Sequence, residues 1–216
     1  MIARKEGEKA KLKAKILETA REMVIREGFE GLSIRRLAEK IGYAPGNIYL
    51  YFAGRDEIAR EICRQSYAEM LLAIEPAAKV KDPVGRLKAL LKSYADFAEG
   101  RPETYKLAFM QDPKFNEVMF RQTAIDEENG AGQKAFRLIV DALDELKQVG
   151  KIDKRANTNL LAEVLWAGVH GVVSLKLIYP AFPATPTSTL VGTMIRTLLN
   201  GLRVERRAPG SGRSDR

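Results

Sequence analysis

The chain of 216 residues contains one cysteine, Cys63, one histidine, His170, and one tryptophan, Trp166. A single thiol closes no intrachain disulfide, which fits a reducing compartment, so a cytoplasmic location is expected. A lone histidine with no cysteine beside it offers no Cys/His cluster, so no metal and no cofactor are expected. No stretch supplies about eighteen uninterrupted apolar residues, so no membrane span is expected. The opening MIARKEGEKAKLKAKI is basic and lacks the apolar centre of a secretory signal. No nucleophile stands with an evident base and no acid–base pair presents itself, so no catalytic residue is assigned and the chain is read as a non-enzyme. Internal repeats and alternating strand patterns are also missing. The apolar periodicity is helical throughout, and the fold class is all-α.

Positive charge is in excess: 36 Lys and Arg against 28 Asp and Glu, a net charge of +8. That balance suits an anionic partner without identifying one. The most informative stretch is LSIRRLAEKIGYAPGNIYLYF, residues 32–52. It predicts two short helices joined by a tight turn. Ser33 stands where an N-cap belongs, and Gly42 suits a left-handed stop after Ile41. Pro45, with fixed φ and no N–H, fits the first position of the second helix. Leu37, Ala38, Ile41, Ile48 and Phe52 form a small predicted core, which leaves Arg35, Arg36, Asn47, Tyr49 and Tyr51 facing outward.

Arg35 and Arg36 lie in a first turn, where cations oppose the helix dipole at a cost of roughly 0.3–1 kcal/mol each. With the Ser33 hydroxyl and the free N–H groups they read as an anion site for a DNA phosphate; the competing reading is two solvated arginines on a marginal helix. The arrangement is a helix-turn-helix, with residues 45–51 entering the major groove of double-stranded DNA. Asn47 is the candidate for a base edge, through a bidentate pair with adenine, or else for a phosphate. Arg55 sits where a phosphate-contacting cation is expected, and Asp56 is expected to cap the next helix.

Residues 16–62, ILETAREMVIREGFEGLSIRRLAEKIGYAPGNIYLYFAGRDEIAREI, resemble the DNA-binding domain of the TetR (tetracycline-repressor) family of bacterial transcriptional regulators. The pattern includes Ala20, Gly28, Phe29, Ser33, Ile34, Ile41, Gly42, Ile48, Tyr49, Tyr51, Phe52 and Asp56, without a gap. The chain departs from it at Tyr43, Ala44 and Gly46, positions that bear on base preference rather than fold. The resemblance implies a ligand-responsive regulator, read as a repressor, that binds a near-palindromic operator as a homodimer. It places Ser33, Arg35, Arg36, Tyr43, Ala44, Pro45, Gly46, Asn47, Tyr49, Tyr51 and Arg55 at the DNA. The body resembles a subgroup with a Trp-His-Gly signature, here Trp166, His170 and Gly171 in LWAGVHGVVSL, with PETYKLAFM upstream.

Residues 1–53 are expected to form the three-helix DNA-binding domain, residues 54–204 a helical regulatory and dimerisation domain, and residues 205–216 a disordered tail. Residues 1–11 are expected to be a flexible basic arm, either plainly solvated or lying on DNA. Trp166, His170 and Ser174 are spaced i, i+4, i+8 and share one helix face, which lines a cavity or closes a core. Tyr105, Phe109, Met110 and Phe136 are candidate opposite walls. The expected effector is an unidentified apolar or amphipathic small molecule. Leu190, Val191, Met194, Leu198 and Leu202 form an apolar stripe on the last helix, which either pairs two subunits or closes the monomer's own core. An alternative class stays open: a helical small-molecule-binding protein or hydrolase without DNA function. The outward set of Arg35, Asn47, Tyr49 and Tyr51 discriminates, since an enzyme has no need of it.

Overall fold

A computed structural model of the chain describes residues 2–109, 130–179, 181–182 and 184–201, with side chains from residue 6 onward. The described residues are helical, and no strand occurs among them. In chain order the helices are α1 (Ile2–Glu27), α2 (Ile34–Ile41), α3 (Pro45–Tyr49), α4 (Arg55–Ile74), α5 (Pro83–Gly100), α6 (Pro102–Phe109), α7 (Ala131–Gln148), α8 (Thr158–Ile178) and α9 (Thr187–Gly201). Short 3-10 turns lie at Phe29–Gly31 and Glu75–Lys79. Met110 and Leu202, named above as candidate ligand and dimer residues, lie outside the described residues, as does the tail 205–216.

Most boundaries follow from local chemistry. Gly28 and Gly150 carry φ of 72° and 70°, beyond the ends of α1 and α7, a conformation that a side chain would strain. The Asn157 side chain accepts from the Leu160 N–H at 3.2 Å and starts α8. Asp56 does not cap α4 as expected. That helix already begins at Arg55, and the Glu57 carboxylate reaches back to the Ala53 N–H at 2.5 Å. The expected flexible arm is also corrected: α1 runs back to Ile2. Its first half is rich in Lys, Glu and Ala, which favour a helix without needing to pack.

The chain divides into two compact units. The first takes Met1–Glu75 with Asp96–Ala135; the second takes Pro76–Ala95 with Phe136–Arg216. The first compact unit therefore extends past the boundary expected at residue 53. Ile58, Ala59, Ile62 and Cys63 of α4 and Leu107 of α6 share one buried cluster with Ile16, Ala20 and Met23 of α1, Leu37 and Ile41 of α2, and Ile48 and Phe52. An ionic tie follows the same route: Glu69 of α4 pairs with Arg21 of α1 at 3.4 Å and with Arg101, just before α6, at 3.2 Å.

In the second unit α8 packs along α9. Ala162, Leu165, Val169 and Val173 turn inward on α8, and Val191 and Ile195 on α9. Their approach is close because residue 168 is glycine: a Cβ there would overlap the Met194 Sδ. By length and composition alone α8 is apolar enough to cross a membrane, with 22% of that stretch buried, but Asn159, Glu163, His170 and Lys176 interrupt its apolar run. Gly168→Val forces the flexible, half-exposed Met194 side chain to turn away and should lower unfolding stability by about 1 kcal/mol or less. Chemical denaturation of G168V, M194A and the double variant checks this. The double variant should lose less than the sum of the singles, because M194A removes the atom that clashes.

Candidate nucleic-acid interface

The helix-turn-helix assembles around its buried positions. The Ser33 hydroxyl accepts from the Arg36 N–H at 3.2 Å and caps α2. Gly42, with φ of 76°, turns the chain, and the Tyr43 N–H returns to the Ala38 carbonyl at 2.9 Å. Pro45 opens α3, and the Asn47 N–H donates to the Ala44 carbonyl at 3.0 Å. Ile48 is fully buried and Phe52 nearly so. On the outward side Tyr43, Ala44, Pro45, Gly46 and Tyr49 are exposed, and Asn47 is half-buried.

Three expectations change here. Arg36 is exposed like Arg35, but its guanidinium already has partners: it pairs with Glu27 at 2.6 Å and donates to the Gly31 carbonyl at 2.8 Å. Arg55 lies 3.6 Å from Glu30 and 3.7 Å from Asp56, with its guanidinium over the Phe29 ring at 4.7 Å. Both arginines thus tie the 3-10 turn at Phe29–Gly31 to the helices around it. Tyr51, expected outward, is half-buried and packs against the head core. Arg35 remains exposed. Leu50, not singled out in the sequence, is the most exposed large apolar residue of the head at 77%, with Tyr49 at 57%. The signal is present in the spacing: about 100° per residue sets Leu50 roughly 180° from the midpoint of Ile48 and Phe52.

Two lysines of α1 lie beside aromatic rings of the head, one exposed and one buried. Lys15 Nζ donates to the Ile41 carbonyl at 3.0 Å, at the carbonyl-rich end of α2, and lies 5.8 Å from the Tyr43 ring centre. Lys13 Nζ lies 5.5 Å from the Phe52 ring centre.

The expected ligand residues fall into both units. In the first, Tyr105 is fully buried, and Phe109 meets it at 5.1 Å between ring centres and Tyr67 edge-on at 5.2 Å. Burial pushes the Tyr67 hydroxyl and the neighbouring Cys63 thiol each up to about 12, so both stay protonated at neutral pH. In the second unit Trp166 stacks on His170 at 5.2 Å, and Nδ1 of His170 shares a 3.1 Å hydrogen bond with the Tyr94 hydroxyl. Burial holds the His170 imidazole below its ordinary value. Ser174 and Phe136 are half-buried in this unit. Among the described residues no three His, Cys, Asp or Glu side chains gather as a metal site.

The dimer stripe is corrected in part. Val191 is buried within its own unit, because it faces α8. Leu190, Met194 and Leu198 are half-exposed. The larger apolar surface belongs to α8, where Leu160, Val164, Leu175 and Ile178 are exposed.

The family model of bacterial regulatory proteins of the tetR family matches residues 16–62, and that of the tetracyclin repressor-like C-terminal domain matches residues 87–199. The uncharacterised HTH-type transcriptional regulator YfiR of Bacillus subtilis is 28% identical over 143 residues, which span 66% of this chain and 66% of that protein, just under two thirds of its length. The solved structure of the fatty acid degradation regulator FadR from Bacillus halodurans aligns with 88% of this chain and 96% of its own, at a TM-score of 0.69 and 17% identity. The transcriptional regulator FadR from Bacillus subtilis, in complex with stearoyl-CoA, aligns with 88% of this chain and 99% of its own, at a TM-score of 0.69 and 15% identity. At such identities the two structures speak for the fold.

His170 generates a pH prediction. Its folded-state value lies below its unfolded-state value of about 6.5, so the unfolded chain binds the proton more readily. The associated stability is complete above about pH 6.5 and is lost as pH falls through the folded value. Melting temperature should therefore drop between about pH 7 and pH 5, and His170→Gln should flatten that part of the profile. An identical pH dependence in H170Q would contradict this role.

Proposed function

The chain belongs to the tetR family of bacterial regulatory proteins, and on that premise we propose that it is a ligand-responsive transcriptional repressor, binding a near-palindromic site on double-stranded DNA as a homodimer. The observation that carries this reading is the segment 45–51. One side of it, Ile48, is fully buried, while Tyr49 and Leu50 project from the other beside the half-buried Asn47. These are groups that base edges and phosphates can use: an amide for a base or phosphate, a phenol for a phosphate, and an apolar side chain for a thymine methyl. Arg35 supplies a phosphate contact, while Arg36 and Arg55 hold the head's shape. A hydrolase or a plain binding protein has no use for this set, and the reading is of a regulator rather than an enzyme, acting in the cytoplasm.

One head reads only a few base pairs, so two heads about 34–36 Å apart, one turn of DNA, are required. We place the subunit contact on α8 together with α9. Leu160, Val164, Ala167, Gly171, Leu175 and Ile178 fall on one face of α8, a stripe along the whole helix. Leu190, Met194 and Leu198 of α9 complete it.

The effector is an apolar or amphipathic small molecule, placed beside Trp166 and His170. The stacked Trp166–His170 pair followed by Gly171 supports assignment to the Trp-His-Gly subgroup. The stearoyl-CoA held by the Bacillus subtilis regulator supports an amphipathic effector class. To release DNA the effector must favour the DNA-incompetent state, and a coupling of about 1–3 kcal/mol gives roughly 5- to 150-fold.

Gel shifts on DNA upstream of the chain's own gene test the DNA reading. Tyr49→Phe should weaken all sequences about equally, by about 0.5–1.5 kcal/mol. Asn47→Ala should cost about 1–3 kcal/mol and change base preference. Wild-type affinity and selectivity in both variants would contradict the assignment. Light scattering at micromolar concentration should show a dimer that Leu160→Asp with Ile178→Asp converts to monomer; a monomeric wild-type chain would count against the homodimer.

A further inference from the structure

We propose that the first half of α1 is a second, sequence-independent DNA contact, in which its lysines lie on the phosphate backbone flanking the base pairs read by α3. The inference rests on the DNA-binding reading above and extends it to a surface outside the helix-turn-helix.

Four observations carry it. The helix is continuous from Ile2 to Glu27, 26 residues, or about 39 Å. Its first part adds little to the core: every side chain from Glu6 to Lys11 is exposed, Leu12 is half-buried, and full burial starts at Ile16. This part is basic, with Arg4, Lys5, Lys9, Lys11, Lys13 and Lys15 against Glu6 and Glu8, a balance of +4 over residues 2–15. Finally, it emerges beside the reading face. Lys15 is fixed to the Ile41 carbonyl and lies beside the exposed Tyr43, which stands just before α3.

Helical form decides what such an extension can touch. An extended arm can thread the minor groove, but a helix about 10–12 Å across does not enter a groove about 6 Å wide. Lysines on a helix therefore meet the backbone rather than base edges. Lys9 with Lys13, and Lys11 with Lys15, stand i and i+4; the two rows lie about 200° apart, so one of them faces a given backbone, and the Lys11–Lys15 row is the one beside Tyr43. Ammonium groups in rows neutralise phosphates without reading sequence.

The test uses full-length wild type, Lys9→Gln with Lys11→Gln, and the control Lys9→Arg with Lys11→Arg. None of the changes touches a buried residue, and far-UV circular dichroism verifies that the helix content is kept. Two duplexes of about 40 base pairs serve as probes, one carrying a sequence enriched by the wild type from a random pool and one of random sequence. The glutamine variant should bind both about tenfold more weakly. Its plot of log affinity against log salt should be shallower by about 0.9 per protomer, because Lys9 and Lys11 project from opposite sides of α1 and one of the two faces the backbone. The ranking of operator variants should not change, and the arginine control should behave as wild type. Unchanged affinity and slope in the glutamine variant, while the wild type still enriches a sequence, would overturn this inference alone. A wild type that enriches no sequence would overturn the DNA reading and this inference together.

Discussion

A helix of five residues closes little more than one turn and has no stability of its own in water. The reading helix Pro45–Tyr49 persists because Ile48 and Phe52 are buried in a core built by α1, α2, α4 and Leu107 of α6. That burial fixes the rotation of the segment and so decides which side chains face outward. Gly42 turns the chain at the one point where α2 must stop, and Pro45 restarts it. The rest of the head supports this placement. Because α4 and α6 contribute to the same core, the head does not end with the helix-turn-helix, and a displacement of either helix is felt at Ile48.

The charged groups divide accordingly. Arg36 with Glu27, Arg55 with Glu30 and Asp56, and Glu69 with Arg21 and Arg101 are partly or largely exposed pairs, each worth about 0–1 kcal/mol. Their role is geometric: they hold turns and helix ends in register around the apolar core. Arg35, Lys9, Lys11 and Lys13 face solvent, and there the excess positive charge can meet an anionic partner. In the second unit the corresponding contrast is apolar. Glycine at 168 lets α9 come close to one side of α8, while Leu160, Val164, Leu175 and Ile178 stay uncovered on another.

The helices and their ends are largely legible in the chain, because Ser33, Gly42, Pro45, Pro83, Gly100 and Pro102 act locally. The inward set Leu37, Ala38, Ile41, Ile48 and Phe52 is legible for the same reason: helical spacing alone assigns it. What the sequence hides are side chains whose roles depend on distant partners. Nothing local to Arg36 announces Glu27, and nothing near Arg55 announces that Phe29 and Glu30 will sit beneath it. Tyr51 and Tyr49 flank the buried side about equally on a helical wheel, so only packing decides that Tyr51 turns in. The lysine-rich start suggests an arm because it has no apolar face, yet its residue types favour a helix and continuity with α1 supplies the rest. Leu107 joining the head core is a tertiary event with no local signature.

The central claim is that a buried Ile48 presents Asn47, Tyr49 and Leu50 to the major groove, twice, in a dimer. Selection of duplexes from a random-sequence pool by the full-length chain tests it most directly. The account predicts an enriched near-palindrome whose half-sites are centred about one helical turn apart, roughly 34–36 Å. A pool in which no sequence is enriched after repeated rounds would contradict it.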